Sequence, residues 1–294
     1  MQRANPKFGL GAQEGAAEAC DLDVDSLKLK LLALFRSADY RPPLLPAVAL
    51  ELLSLSNKSK VKAGEIAELL GHDPLLAGQT LRMAQSVVFA GALPVRSLDE
   101  AIVRLGLGRV TDLFFQASLE MRVFRAPGYD TEMETLRAHC SFTAEMARLV
   151  CRQTLGFDDY AFLCGLLHDV GVAACILALE ELAQGSARVP FARAWHCIGE
   201  IHESCSELLA KIWKLPPDIA LVLQLHHRLA LDGHVHPAAA VVAVADGLAD
   251  EFGFGFHAET SLLQTESAAR LLGLSESGLS QLRGGAEELA KART

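Results

Sequence analysis

Phe162-Leu163-Cys164-Gly165-Leu166-Leu167-His168-Asp169-Val170-Gly171-Val172-Ala173-Ala174-Cys175-Ile176-Leu177 is an apolar run interrupted at its centre by two polar side chains. A carboxylate and an imidazole in such surroundings need partners, because burying a charge or an unpaired polar group is costly. Candidates lie on both sides: His139 before the run, and His202, His226, His227 and Asp246 after it. Imidazole and carboxylate in one cluster suit divalent Fe, Mn, Zn, Co or Ni better than Ca.

The rest of the chain reads as helical. Of its 294 residues 51% are hydrophobic and only 6% aromatic, and Leu and Ala, both good helix formers, dominate. Lys and Arg number 27 against 36 Asp and Glu, a net charge of -9 that disfavours nucleic acid as a partner through the overall field. Seven cysteines, an odd count without a C-x-x-C pair, predict no disulfide framework and a reducing, cytoplasmic compartment. Met1–Glu18 is Gly/Ala-rich without an apolar core, unlike a signal peptide, and no uninterrupted apolar run reaches the roughly 18 residues of a membrane span. No membrane partner is expected.

Punctuation by Pro, Gly and capping residues divides the chain. Residues 1–20 read as a disordered arm, 21–125 as an N-terminal helical subdomain, and 126–294 as a second helical subdomain, with Ala126-Pro127-Gly128-Tyr129 between the two. Helices are predicted at about 22–35, 47–55, 63–70, 74–86, 98–105 and 109–123, with Asn57–Lys60 as a turn. Asp73-Pro74 caps the fourth, and Ser97-Leu98-Asp99-Glu100 forms a capping box on the fifth. Gly106-Leu107-Gly108 reads as a tight turn. Further helices are predicted at about 131–155, 158–167, 172–182, 202–214, 217–229 and 238–252, with two short ones near the C-terminus and no β-hairpin. Leu271-Leu272-Gly273-Leu274 is expected to pack inward, and Phe114-Phe115 reads as either core or interface.

Pro42-Pro43-Leu44-Leu45-Pro46-Ala47-Val48, Glu65–Ala77 and above all Ser97-Leu98-Asp99-Glu100-Ala101-Ile102-Val103-Arg104-Leu105-Gly106-Leu107-Gly108-Arg109-Val110 resemble an HDOD domain, over about residues 25–230. The resemblance implies an all-α fold, a multi-helix HD-superfamily-like bundle preceded by an N-terminal helical subdomain. It also implies a ligand set. In HD-superfamily enzymes a His, a His-Asp pair and a distal Asp hold one metal, which corresponds here to His139, His168, Asp169 and Asp246. In the two-metal HD-GYP branch the pair's Asp bridges to a second ion, and His202, His226 and His227 stand at the matching places. One or two transition-metal ions are therefore expected.

Structural alternatives stand beside each ligand. His139 also fits a core histidine bonded to a carbonyl, and His202 a solvated helix start. His226 and His227 on one helix would point about 100° apart. His72, His196, His234, His236 and His257 read as surface or loop residues. Two departures weigh against catalysis: Val172 replaces the lysine of the HD-GYP motif, and the Gly-Tyr-Pro loop is absent. Valine offers a phosphoryl oxygen neither charge nor donor. The expected function is thus a bacterial signal-transduction module that binds a protein partner. The alternative is a metal-dependent phosphohydrolase acting on a nucleotide or cyclic dinucleotide.

Overall fold

The computed structural model describes residues 24–56, 61–71, 74–86, 89, 94–155, 160–183, 188–231, 233–256 and 262–293. The expected arm at 1–20, the turn at 57–60, the Asp73 cap, His72 and His257 lie outside them. Helices α1 (Val24–Arg36), α2 (Ala47–Ser56), α3 (Ala63–Gly71), α4 (Pro74–Ala84), α5 (Leu98–Leu105) and α6 (Leu107–Arg122) come first. Then follow α7 (Asp130–Thr154), α8 (Ala161–Leu167), α9 (Val170–Leu182), α10 (Phe191–Ile212) and α11 (Pro217–Leu225). Strands β1 (Ala230–Leu231) and β2 (His234–Val235) precede α12 (Pro237–Glu251), α13 (Leu262–Leu271) and α14 (Glu276–Lys291). The fold is all-α apart from that one small antiparallel pair among the described residues.

Local chemistry sets the helix ends. The Glu100 amide donates to Ser97 Oγ at 3.2 Å, one half of the expected capping box. The reciprocal half is shifted, since Glu100 Oε2 accepts from the Arg96 amide at 2.7 Å. Gly106 alone makes the turn between α5 and α6. Its φ of +80° belongs to the left-handed region that favours glycine, and α6 starts at the next residue. The expected turn at 106–108 is therefore one residue long. A hairpin joins Ala230 to Val235 and Leu231 to His234, with Gly233 at φ +79°. Asp232-Gly233 is a strong two-residue turn signal, but two-residue strands are too short to show alternation.

Two apolar clusters fill the molecule. The larger runs from Leu27 through Phe114, Phe115, Leu166 and Val172 to Leu223. Both phenylalanines are thus core. The smaller joins Phe142, Met146 and Val150 of α7 to Val244 and Leu248 of α12 and to Leu282 and Ala286 of α14. Leu272 and Leu274 pack against it, while Leu271 is 50% exposed. The stretch Ala161–Leu182 is long and apolar enough for a membrane span, yet it is almost wholly buried in the bundle, which accounts for its apolarity. Six of the cysteines, Cys140, Cys151, Cys164, Cys175, Cys197 and Cys205, are buried and in no disulfide, as small hydrophobes would be.

Two glycines let helix backbones approach. A β-carbon on Gly165 would stand 2.8 Å from the Ala144 Cα and the Thr143 carbonyl, so α8 lies directly on α7. A β-carbon on Gly171 would overlap the His202 carbonyl, so α9 lies directly on α10. These contacts converge on the break between α8 and α9, which is His168-Asp169.

Candidate metal centre

All seven sequence-predicted residues meet at that break. His168 closes α8 and Asp169 opens α9. His139 comes from the middle of α7 and Asp246 from α12. His202 sits in the middle of α10, which begins at Phe191, eleven residues before the expected start at 202. It is only 5% exposed, which removes the solvated-start reading. The expected helix 217–229 ends at Leu225, so His226 and His227 fall in a turn. The 100° objection applied to a continuous helix, and there is none at these residues.

The imidazoles are aimed by carbonyls. Nδ1 of His168 donates to the Gly165 carbonyl at 2.9 Å, that of His202 to Gly199 at 2.8 Å, and that of His226 to Leu223 at 2.8 Å. Gly165 and Leu223 lie in the last turns of α8 and α11, where carbonyls lack helical partners. His139 Nδ1 donates to the Phe254 carbonyl at 2.9 Å. A carbonyl only accepts, so Nδ1 carries the proton and, in the neutral ring that a metal requires, Nε2 presents a lone pair.

Those lone pairs converge on the two oxygens of Asp169. Oδ2 lies 3.6 Å from His139 Nε2 and 3.5 Å from His168 Nε2. Asp246 Oδ1 completes this first set, 3.3 Å from His139 Nε2 and 3.9 Å from His168 Nε2. Asp169 Oδ1 faces a second set, 3.5 Å from His202 Nε2 and 3.4 Å from His226 Nε2. His227 Nε2 stands beside it, 3.1 Å from His202 Nε2, while its Nδ1 faces the Gln264 amide nitrogen at 3.5 Å, so without an ion its proton lies on Nε2 and points at His202. Acceptors here oppose acceptors: His139 and His168 bring two Nε2 atoms within 3.0 Å, although both ring protons are already committed at Nδ1. Asp169 Oδ1 and His226 Nε2 are buried without any hydrogen-bond partner. Such a cluster is stable only with cations or extra protons between the donors.

The residues fit a metal. Metal–nitrogen bonds of about 2.1 Å at tetrahedral or octahedral angles place neighbouring donors about 3.0–3.4 Å apart. Asp169, His202, His226 and His227 form one group able to hold an ion, and His139, His168 and Asp169 form another. The Nδ1–carbonyl bonds are the supports that fix tautomer and ring orientation in metal-ligating histidines. Burial works against the charge of Asp169, yet positive charge at the His168, His226 and His202 positions, where a cation would supply it, holds the carboxyl well below the usual carboxylate range. Burial pushes His226 down to about 4 and His227 to about 3, keeping both neutral and able to ligate at neutral pH.

Several supporting residues carried no sequence signal of their own. Ser206 Oγ accepts from the Gly171 amide at 2.8 Å and donates to the His168 carbonyl at 2.8 Å, stapling the break to α10. Gln264 Nε2 donates to the carbonyls of His226 and His227 at 3.2 and 2.8 Å. Asp250, one turn beyond Asp246, groups with it and His139; its i+4 spacing was a readable sign. The cluster forms the floor of a cavity of about 310 Å³, whose other walls include Trp195, Glu203, Asp250 and Phe256. Among the described lining residues there is no lysine or arginine. Val172 is fully buried in the core on α9. His196 and His234 are exposed as expected, whereas His236 is half-buried with an enclosed, unpartnered Nδ1.

The chain is a helical bundle closed around buried His and Asp side chains. The HDOD domain model matches residues 43–229, and the chain belongs to the HDOD family. Three solved structures share the fold. An HDOD domain protein of unknown function from Geobacter sulfurreducens is 22% identical, with 91% of this chain and 99% of that chain covered at a TM-score of 0.60. A provisionally named metal-dependent phosphohydrolase from Shewanella amazonensis is 17% identical, with 92% and 98% covered at 0.67. A provisionally named signal transduction protein from Marinobacter aquaeolei is 22% identical at 0.66; the match covers 93% of this chain and 65% of that one. At these identities the likeness is one of fold. No curated protein matches the chain.

Proposed function

We propose that this HDOD protein holds two divalent transition-metal ions and acts on a phosphate ester. His139, His168, Asp169 and Asp246 would hold one ion, and Asp169, His202, His226 and His227 the other. The observation that carries this reading is Asp169, whose two oxygens face two separate sets of unprotonated nitrogens. Bound divalent ions supply Lewis acidity toward water and phosphoryl oxygens at such a site. The protein's own contribution is orientation and shielding. The Nδ1–carbonyl bonds fix the donors, and Trp195 and Phe256, ring centroids 5.8 Å apart, wall one side of the cavity against water. With carboxylates but no cationic side chain among the described lining residues, recognition of phosphate rests on the ions. A nucleotide or cyclic dinucleotide is the substrate class in view.

A second reading, a signalling module that binds a protein partner, is favoured by one observation. Val172, at the position of the lysine in the HD-GYP motif that the sequence resembles, is buried in the core. Under it the metal centre serves to sense or to stabilise.

Elemental analysis of untagged protein tests the centre, and hydrolysis of bis-p-nitrophenyl phosphate tests the activity. Two ions per chain with turnover that His168→Ala abolishes supports the enzyme. Ions without turnover supports the module. No ions bound, with none taken up on addition, overturns the metal centre.

A further inference from the structure

Helix α14 runs antiparallel along α7. Near its start Gln281 Oε1 accepts from Gln153 Nε2 at 3.5 Å, and at mid-length a β-carbon on Gly285 would sit 3.1 Å from Leu149 Cδ1. Just past its end Arg293 reaches Ser141. The helix thus delivers one guanidinium to the part of α7 that carries His139. Arg293 Nη2 donates to the Ser141 carbonyl at 3.0 Å and to Ser141 Oγ at 3.1 Å. The planar group lies 5.4 Å from the centroid of the Phe142 ring and 5.8 Å from that of Phe254. Those two rings are themselves stacked, with centroids 4.3 Å apart and planes at 11°.

Phe254 has a second task. Its amide donates to the Ala249 carbonyl at 2.8 Å, folding the chain back after α12 past Gly253, whose φ is +83°. Its carbonyl accepts the Nδ1 proton of His139. Of the four Nδ1–carbonyl bonds in the cluster, this is the one that crosses a large sequence gap, 115 residues, where the other three reach three residues back.

We propose that Arg293 is a positioning residue for the first donor set, acting through Phe254 on His139. Arg293 fixes Phe254 from the ring side, by cation–π contact and by bridging to α7. The fixed residue holds its carbonyl at Nδ1, and that bond keeps the Nε2 lone pair of His139 aimed at Asp169 and Asp246. Both Phe254 and Arg293 lie beyond the matched family residues 43–229, so this support belongs to the C-terminal part of the chain. The role of Arg293 toward an ion rests on the metal-centre reading; its role toward the His139 tautomer does not.

Untagged protein stripped by chelator is titrated with Zn²⁺ against a chromogenic competitor, for wild type, Arg293→Ala and Arg293→Lys. The expected result is that Arg293→Ala weakens one of two sites by up to about tenfold, the lower end for a lost supporting contact, and leaves the other unchanged. Lysine, which keeps a donor but not the planar stack, restores part of the loss. Unchanged affinity at both sites overturns the proposal, as does equal weakening of both in step with a lowered Tm. Side-chain ¹⁵N shifts of His139 in metal-free protein give an independent readout. Wild type shows the Nδ1–H form, and Arg293→Ala gains Nε2–H; an unchanged tautomer overturns the proposal. If wild type takes up no Zn²⁺, the metal-centre reading fails alone, and the tautomer still decides the role of Arg293.

Discussion

The Gly171 α-carbon rests against the carbonyl of His202, with no room between them for a methyl group. This contact fixes the start of α9, and with it Asp169, against the helix that supplies the first histidine of the second donor set. Gly171→Ala must push α9 and α10 apart. The expected cost is about 1–3 kcal/mol of stability, as for other overpacked sites, together with loss of bound metal. Thermal unfolding and elemental analysis of the variant check both.

Asp169 faces both donor sets and Asp246 only one. Asp169→Asn is therefore expected to lower the metal content from two ions toward none, and Asp246→Asn from two toward one. Equal losses in the two variants, measured per chain by elemental analysis, would contradict the bridging role.

Metal-free protein should lose stability in mild acid. Burial holds His226 at about 4 and His227 at about 3 in the folded chain, against about 6.5 for an ordinary histidine. Between pH 6.5 and 4 the unfolded chain binds more protons than the folded one, so unfolding becomes easier as pH falls through that window. His226 alone contributes a loss of roughly 3 kcal/mol over it. Urea unfolding at pH 7 and pH 4.5 measures the difference, and Zn²⁺ at pH 7 should raise the midpoint further.

Val172→Lys tests whether the missing lysine is a simple vacancy in the cavity. Val172 is fully buried among apolar neighbours on α9. An unpaired ammonium there should cost about 3 kcal/mol or more without raising turnover on a phosphodiester. A folded variant with a gain in activity would show that α9 can turn this position toward the site.

The helices and the ligand set were legible for different reasons. Long periodic stretches such as α7, and the capped α5, announce themselves by spacing and by Ser97. His168 and Asp169 stood out because polar groups in an apolar run need partners, whereas His139, Asp246, His202, His226 and His227 were singled out as ligands by the family resemblance. What the sequence hid was mostly continuity and support. The start of α10 at Phe191 lay in the period of Phe191, Ala194, Ile198 and Ile201, which was readable. The end of α11 at Leu225 had no breaker to mark it, and there the apparent conflict between His226 and His227 disappears. Ser206, Gln264 and the Phe254 carbonyl act through tertiary contacts, to which no local pattern corresponds.

The Nδ1 bonds also imply a timetable for synthesis. Three histidines take their tautomer from a carbonyl three residues upstream, so each is set as soon as its own turn forms. The second set is complete in sequence once His227 has left the ribosome. The first must wait for Asp246 and then for Phe254, across 115 residues of intervening chain. A nascent chain paused between these points would hold all the histidines of the second set while His139 still lacked the carbonyl that sets its tautomer.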